Sequence, residues 1–195
     1  MQNEKLDIRS LSFEQLKHEM DLLGEKAFRA KQIYEWLWQK AARSFDSMTN
    51  LSLDLRNKLD ERFCINAVKV HSHQVSNDRT VKFAFKLFDG HLIEGVLIPA
   101  NDRMTACVSS QVGCSLTCKF CATGYMERKR NLNPDEIFDQ VVLINETSRE
   151  FYNKNLSNIV YMGMGEPLLN YANVMKSIER ITSPSGLGMS PQRIT

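Results

Sequence analysis

The chain has 195 residues, of which 43% are hydrophobic and 25% charged, and its formal net charge is +2. This length can form a hydrophobic core without disulfides, and the net charge is too small to indicate nucleic-acid binding by itself. No stretch has the apolar run of a signal peptide or a membrane helix, so we expect a cytoplasmic protein without a membrane partner. In that reducing environment the five cysteines are expected to be metal ligands or reactive thiols rather than disulfides.

Residues 1–64 are predicted to form a small helical domain. Ser12 and Gln15 have the spacing of a capping box at the start of an apolar stripe, which predicts a helix that ends near Gly24. Two further apolar stripes at helical spacing follow along the chain.

Residues 65–100 are predicted to form an antiparallel β meander. Apolar and polar residues alternate from Val81 to Leu87, and Asp89-Gly90 indicates a hairpin before the apolar run from His91 to Ile98. Glu94 interrupts the apolar row that every second residue of this last run forms. On the residues alone, this carboxylate lies either at an exposed edge or in a site that shifts its pKa.

Residues 101–195 alternate between strand and helix patterns. Strands are expected from Met104 to Ser110 and from Asn158 to Met162, with a capped helix beginning at Asn133 between them and another helix after them. Gln192 begins what would be a third strand. Such units predict an α/β fold, the first part of a (β/α) barrel with functional loops at the carboxyl ends of its strands. Because a barrel needs more strands, we expect the chain to be the N-terminal portion of a longer protein.

Three of the five cysteines, Cys114, Cys118 and Cys121, lie within eight residues after the first of these strands. A structural zinc site needs four ligands, usually as two pairs, and a ferredoxin cluster uses four thiolates at other spacings. Three thiolates on a four-iron cluster leave one iron open, which would allow the cluster to bind a substrate. Zinc binding and a chance grouping remain the alternatives on spacing alone.

The pattern Cys-x3-Cys-x-aromatic-Cys, with Phe120 as the aromatic residue, resembles the signature of radical S-adenosylmethionine enzymes. Segments 106–114 and 162–170 are similar to the RlmN/Cfr family of RNA methyltransferases, and the helical opening is similar to that family's accessory domain. The resemblance covers nearly all of the chain. It implies a partial radical S-adenosylmethionine barrel after a helical accessory domain and a β meander.

For the site, the resemblance implies a 4Fe-4S cluster on Cys114, Cys118 and Cys121 and S-adenosyl-L-methionine as the second cofactor. Gly165 and Glu166 match the turn that contacts S-adenosylmethionine, where glycine allows the backbone to approach. Cys64 matches no functional position.

The family methylates adenine ring carbons, C2 in 23S rRNA and tRNA for one branch and C8 for the Cfr branch. The resemblance favours the C2 branch, mainly through the N-terminal half. In the family, S-adenosylmethionine first methylates a cysteine, and a radical from a second molecule activates that methyl group for addition to the ring. Glu94 matches the residue that takes the ring proton, and Cys107 matches the cysteine that resolves the covalent adduct with disulfide formation. A resolving thiol must be reachable and able to ionise.

The methyl-carrying cysteine of the family lies near the C-terminus of its full-length members. The resemblance therefore implies that these 195 residues alone lack methyltransferase activity. It also implies RNA substrates, an electron donor such as flavodoxin, and a monomer, with the helical domain and the basic run Arg128 to Arg130 as candidate phosphate contacts. The alternatives are a Cfr-like C8 methyltransferase, a different radical enzyme, and a non-catalytic iron-sulfur or zinc module that only binds RNA.

Overall fold

The computed structural model describes residues 5–195, so the first four residues of the predicted helical domain lie outside the described residues. The described chain forms two compact units, one of residues 5–66 with Pro184–Leu187 and one of Ala67–Ser183 with Gly188–Thr195. Within the described part of the chain, no helix is both long and apolar enough to cross a membrane.

The first unit consists of three helices and a short parallel strand pair. Ser12 Oγ accepts a hydrogen bond from Gln15 N at 3.2 Å and the Gln15 side chain accepts one from Ser12 N at 2.8 Å, which confirms the predicted capping box. Gly24 follows the first helix with a φ of 72°. The elements are β1 (Leu6–Asp7), α1 (Phe13–Leu22), α2 (Phe28–Trp38), α3 (Leu53–Arg62) and β2 (Phe63–Cys64), with β1 parallel to β2.

The second unit is built on a five-stranded sheet in the order β3-β4-β5-β6-β9. The strands from β3 to β5 are antiparallel neighbours, as the meander pattern predicted. β6, predicted as the first barrel strand, is antiparallel to β5 and pairs with β9 in parallel. The strands are β3 (Lys69–Val75), β4 (Val81–Lys86), β5 (Leu92–Ala100), β6 (Arg103–Cys107), the short pair β7 (Gln111–Val112) and β8 (Arg130–Asn131), and β9 (Asn158–Val160); the helices are α4 (Pro134–Tyr152) and α5 (Tyr171–Thr182).

This sheet is open and does not close into a barrel among the described residues. Ile194 makes an isolated parallel bridge to Ile159 of β9, at the start of the predicted third strand. The α/β architecture is therefore confirmed, and a complete barrel is not present in this part of the chain.

The two faces of the sheet differ in burial. One face packs against α4, and at its centre a Cβ on Gly95 would come 2.6 Å from the Phe85 ring and 3.3 Å from Ile144 of α4, so only glycine allows this approach. We call the other face the open face. The buried part of the covered face consists of Val81, Phe83, Phe85, Ile93, Leu97, Met104, Ala106 and Ile159, each at most 4% exposed. The open face consists of Lys69, Ser72, Gln74, Lys82, Ala84, Lys86, Leu92, Glu94, Val96, Ile98, Thr105, Cys107, Asn158 and Val160.

Both parallel strands are shorter than the sequence predicts. β6 ends at Cys107 rather than Ser110, because Ser110 N donates to Met164 O at 2.9 Å in the turn after β9 and leaves the sheet. β9 ends at Val160 rather than Met162, because the chain turns there and Gly163 N donates a hydrogen bond to Val108 O at 3.0 Å. The two carboxyl ends are therefore joined to each other beyond the sheet.

Candidate functional site

The three clustered cysteines lie on one loop, residues 113–129, which we call the cysteine loop. The strands β7 and β8 close its base, with Val112 opposite Arg130, and Lys129 N donates to Val112 O at 2.8 Å. Gly113 opens the loop with a φ of 73°, and a Cβ there would come 2.2 Å from Glu127 O. Glycine at this position is thus required by the backbone conformation and by the close approach of the loop's two ends.

The thiols of the cysteine loop are free and reach solvent to different degrees. Cys118 is exposed, and Cys114 and Cys121 are half-buried. Backbone N–H groups of Gly124 and then Thr123 lower the pKa of Cys121, which favours the thiolate that binds metals. A cavity of about 590 Å³ inside the loop is lined in part by Cys114, Gly124 and Arg128.

In number and chemistry these three thiols fit a cluster that is held by three protein ligands. Three soft sulfur donors on one accessible loop are the ligand type that iron-sulfur clusters use. Among residues 5–195, no three Cys, His, Asp or Glu side chains are gathered closely enough to form a metal site. The three thiols therefore fit a cluster by their chemistry and number, and their assignment as its ligands stays a prediction.

The turn after β9, Gly163 to Glu166, is bound to the segment that leads into the cysteine loop. Ser109 Oγ accepts a hydrogen bond from Met164 N at 2.8 Å and donates one to Glu94 O at 2.6 Å. Gln111 Oε1 accepts from Glu166 N at 2.9 Å. Sequence reasoning missed Ser109 and Gln111, because a polar residue buried between two loops has no periodic signal. Both are buried, and they tie the two motifs together.

The glycines of this turn are required by contacts within the protein. A Cβ on Gly163 would come 2.7 Å from Ser109 Oγ and from Val108 O. Gly165 has a φ of 94°, and its Cβ would come 2.5 Å from Gln111 Cβ. The turn can therefore lie this close to the entry of the cysteine loop only with glycine at both positions.

Glu94 and Cys107 both lie on the open face. Val96 is the partner of Cys107 in the β5–β6 register, so Glu94 is its diagonal neighbour, with Cα atoms roughly 7–8 Å apart. The Glu94 side chain is 53% exposed and pairs with Lys82 Nζ at 2.7 Å. Of the two environments left open for Glu94, the structure shows the exposed one.

Cys107 lies deeper on the same face. It is 9% exposed, and burial raises the pKa of its thiol, against a weaker effect of a backbone hydrogen bond from Met162. In this structure the thiol is thus protonated at neutral pH and hardly accessible to solvent.

The basic run from Arg128 to Arg130 is paired with residues of its own unit. Arg130 donates to both carboxylate oxygens of buried Glu136 at 2.7 Å and to Asp89 at 2.5 Å. Arg128 donates to Asn131 at 2.9 Å, and Lys129 pairs with Glu127. The guanidinium of Arg130 thus joins β8 to α4 and to the β4–β5 hairpin, and the phosphate contact of the run stays a prediction.

Comparison with known proteins defines the class first. The structure is similar to the crystal structure of a radical SAM methyltransferase from Sphaerobacter thermophilus, with a TM-score of 0.86 and 36% identity over 97% of this chain and 55% of that one. The fold of the described residues therefore matches part of a radical SAM methyltransferase.

Sequence comparison then gives the related proteins. Residues 6–65 match the family model described as the ribosomal RNA large subunit methyltransferase N-terminal domain. The chain is 64% identical over 188 residues to "Probable dual-specificity RNA methyltransferase RlmN" of Cytophaga hutchinsonii, covering 96% of this chain and 52% of that protein. It is 43% identical over 198 residues to "Dual-specificity RNA methyltransferase RlmN" of Syntrophus aciditrophicus, covering 100% of this chain and 56% of that protein.

These matches confirm the resemblance to RlmN proteins that the motifs predicted. The chain spans about half the length of the curated relatives it matches.

Proposed function

We propose that this chain carries the cofactor site of a radical S-adenosylmethionine methyltransferase that modifies adenine C2 in 23S rRNA and tRNA through a methyl-cysteine. The observation that carries the proposal is the attachment of the cysteine loop to the turn from Gly163 to Glu166 at one end of the sheet, through Ser109 and Gln111. The names of the relatives support RNA as the substrate class.

Cys114, Cys118 and Cys121 would hold a 4Fe-4S cluster. When bound, such a cluster supplies an open iron for S-adenosylmethionine and the electron that cleaves its carbon-sulfur bond. Glu166 Oε1 accepts a hydrogen bond from Leu168 N at 3.0 Å, which orients this carboxylate. Its remaining acceptor capacity suits the amino group of S-adenosylmethionine.

Glu94 and Cys107 would act on the adenine. Lys82 pairs with the Glu94 carboxylate on the open face. An adenine freed from stacking could approach this carboxylate, which would accept the ring proton. Cys107 would resolve the adduct as a thiolate that attacks the sulfur of the methyl-carrying cysteine. The disulfide would form as that sulfur's bond to the transferred carbon breaks, and the carbon would remain on the adenine and take up a proton as the methyl group. The burial of Cys107 keeps its thiol protonated until that step.

None of the five cysteines is assigned the methyl-carrying role. Three are assigned to the cluster and Cys107 to resolution, and Cys64 is a thiol whose pKa is raised by burial. We therefore expect the 195 residues to bind both cofactors without completing methyl transfer. A flavodoxin-type electron donor and a monomeric state, both supported by the family resemblance, and a cytoplasmic location, supported by the sequence pattern, complete the proposal.

The test is anaerobic reconstitution with iron and sulfide, followed by incubation with a reductant, methyl-labelled S-adenosylmethionine and an rRNA transcript. We expect a brown protein that cleaves S-adenosylmethionine and leaves the RNA unlabelled. C118A should lose the cluster, and C64A, which removes a thiol outside the loop, should retain it.

Three results would contradict parts of this proposal. A colourless protein that binds zinc would favour the non-catalytic RNA-binding alternative. Labelled RNA would contradict the expected lack of turnover. Label at adenine C8 would show that C8, and not C2, is the methylated carbon.

A further inference from the structure

Two lysines face each other on the open face. Lys69 of β3 is the register partner of Lys86 of β4, and both are exposed. Neither side chain makes a hydrogen bond or an ion pair with any residue in the described range 5–195. Like charges directly opposite each other on a sheet are destabilising. We call these two residues the lysine pair.

The lysine pair lies at the end of the sheet from which the cysteine loop departs. Lys69 begins β3, Lys86 ends β4 and Cys107 ends β6, and these strands are consecutive antiparallel neighbours with β5 between β4 and β6. In register, the row of the lysine pair comes first, that of Glu94 second and that of Cys107 third. Successive rows on one face are about 7 Å apart, so the lysine pair adjoins the residues proposed to act on adenine.

Neighbouring cations on this part of the unit are neutralised. Lys82 pairs with Glu94, and Arg130 pairs with Asp89 and Glu136. The lysine pair differs from them because it concentrates two positive charges without a carboxylate. An anion placed between the two ammonium groups would remove their repulsion and accept hydrogen bonds from both.

We propose that the lysine pair binds backbone phosphates of RNA where the strand crosses the edge of the sheet toward Glu94. This inference rests on the proposed function, and it names the surface that positions the substrate. All seven residues of β3 are exposed, so this edge can accept an extended chain. Phosphodiesters fit the pair better than the carboxylates of a protein partner do, because the adjoining site is proposed to act on a nucleotide.

The test measures binding of a fluorescein-labelled RNA hairpin with an adenosine in its loop, by anisotropy over a salt series. The variant is K69Q/K86Q. The matched control is K154Q/K176Q, which removes two exposed positive charges, one beyond α4 and one on α5. We expect K69Q/K86Q to bind about tenfold more weakly at low salt, with a log-log salt slope smaller by about 1.4, because each lost phosphate contact on a single strand removes about 0.7. The control and the charge-retaining K69R/K86R should bind like the unsubstituted chain.

Several results would overturn the inference. Equal affinity and slope for K69Q/K86Q and K154Q/K176Q would show that the pair contributes only to net charge. Normal RNA binding with self-association of K69Q/K86Q in gel filtration would show that the lysines protect the edge of β3 from pairing with another chain. If K69Q/K86Q loses binding to an acidic polypeptide and not to RNA, a protein partner replaces RNA. Absence of salt-dependent RNA binding by the unsubstituted chain would count against the proposed function as well.

Discussion

Gly165 lies in the turn that joins the two predicted cofactor segments, and its replacement has two separable costs. Its φ of 94° disfavours any residue with a Cβ, and that Cβ would also come 2.5 Å from Gln111 Cβ. Gly90, in the β4–β5 hairpin, has a φ of 86°, and a Cβ there would have no neighbouring atom within 4 Å. The two glycines therefore share the backbone conformation and differ in the close contact.

G165A is expected to destabilise the chain by about 3 kcal/mol, of which positive φ contributes about 1–2 kcal/mol and overpacking against Gln111 the rest. G90A should lower the free energy of unfolding only by the contribution of the positive φ, about 1–2 kcal/mol. Urea unfolding of both variants measures the difference. Equal losses for G90A and G165A would contradict the tight contact between the turn and Gln111.

The thiols of Cys107 and Cys121 have opposite environments. Burial raises the pKa of Cys107, and N–H groups of Gly124 and Thr123 lower that of Cys121. In the metal-free reduced chain, iodoacetamide is therefore expected to modify Cys107 more slowly than Cys121 at about pH 7, since the thiolate is the reactive form. Raising the pH to about 9 should increase the modification rate of Cys107 more than that of Cys121, because the Cys107 thiolate forms at higher pH.

Peptide mass spectrometry over a time course measures both rates. Unfolding the chain in urea is the control and should make the two rates similar. Modification of Cys107 as fast as that of Cys121 in the folded chain would contradict the burial of the Cys107 thiol.

At the scale of elements, Arg130 joins three parts of the second unit. It lies in β8 at the exit of the cysteine loop, and it pairs with Glu136 in the first turn of α4 and with Asp89 in the β4–β5 hairpin. The Glu136 side chain is 1% exposed and also accepts a hydrogen bond from Asn133 N in the capping box of α4. The path of the cysteine loop is thus fixed to the sheet and to the helix that covers it.

R130Q is expected to destabilise the second unit by about 3 kcal/mol, because it leaves the buried Glu136 carboxylate without its cationic partner. R128Q is the matched control and should change stability by less than about 0.5 kcal/mol, because Arg128 is exposed and bonds only Asn131 among the described residues. Hydrogen exchange should accelerate in the cysteine loop of R130Q and not in that of R128Q. Unchanged exchange in R130Q would show that the ion pairs do not hold the loop.

At the scale of the whole molecule, sequence predicts the features whose signals are local. The capping boxes at Ser12 and Asn133 each lie within four residues, and the alternation in β4 and the Asp89-Gly90 turn define the meander. The cysteine loop and the glycine turn were recognised through motifs, because their chemistry requires fixed spacing.

Contacts between distant residues could not be predicted in the same way. Arg130 and Asp89 are 41 residues apart, and Ser109 and Met164 are 55 apart, so no periodicity relates them. The strands β7 and β8 have only two residues each, which is too short for an alternating pattern. The sequence also extends β6 and β9 too far, since Val108 and Met162 continue an apolar pattern in segments whose backbone bonds to other loops.

The central claim is that the cysteine loop and the turn at Glu166 form one site for a cluster and S-adenosylmethionine. Electron paramagnetic resonance of the reconstituted, reduced chain with and without S-adenosylmethionine tests it most directly. We expect a cluster signal that S-adenosylmethionine changes in the unsubstituted chain, and a signal that it changes less in E166A, which retains the three cysteines. A cluster signal that S-adenosylmethionine leaves unchanged in the unsubstituted chain would contradict the claim.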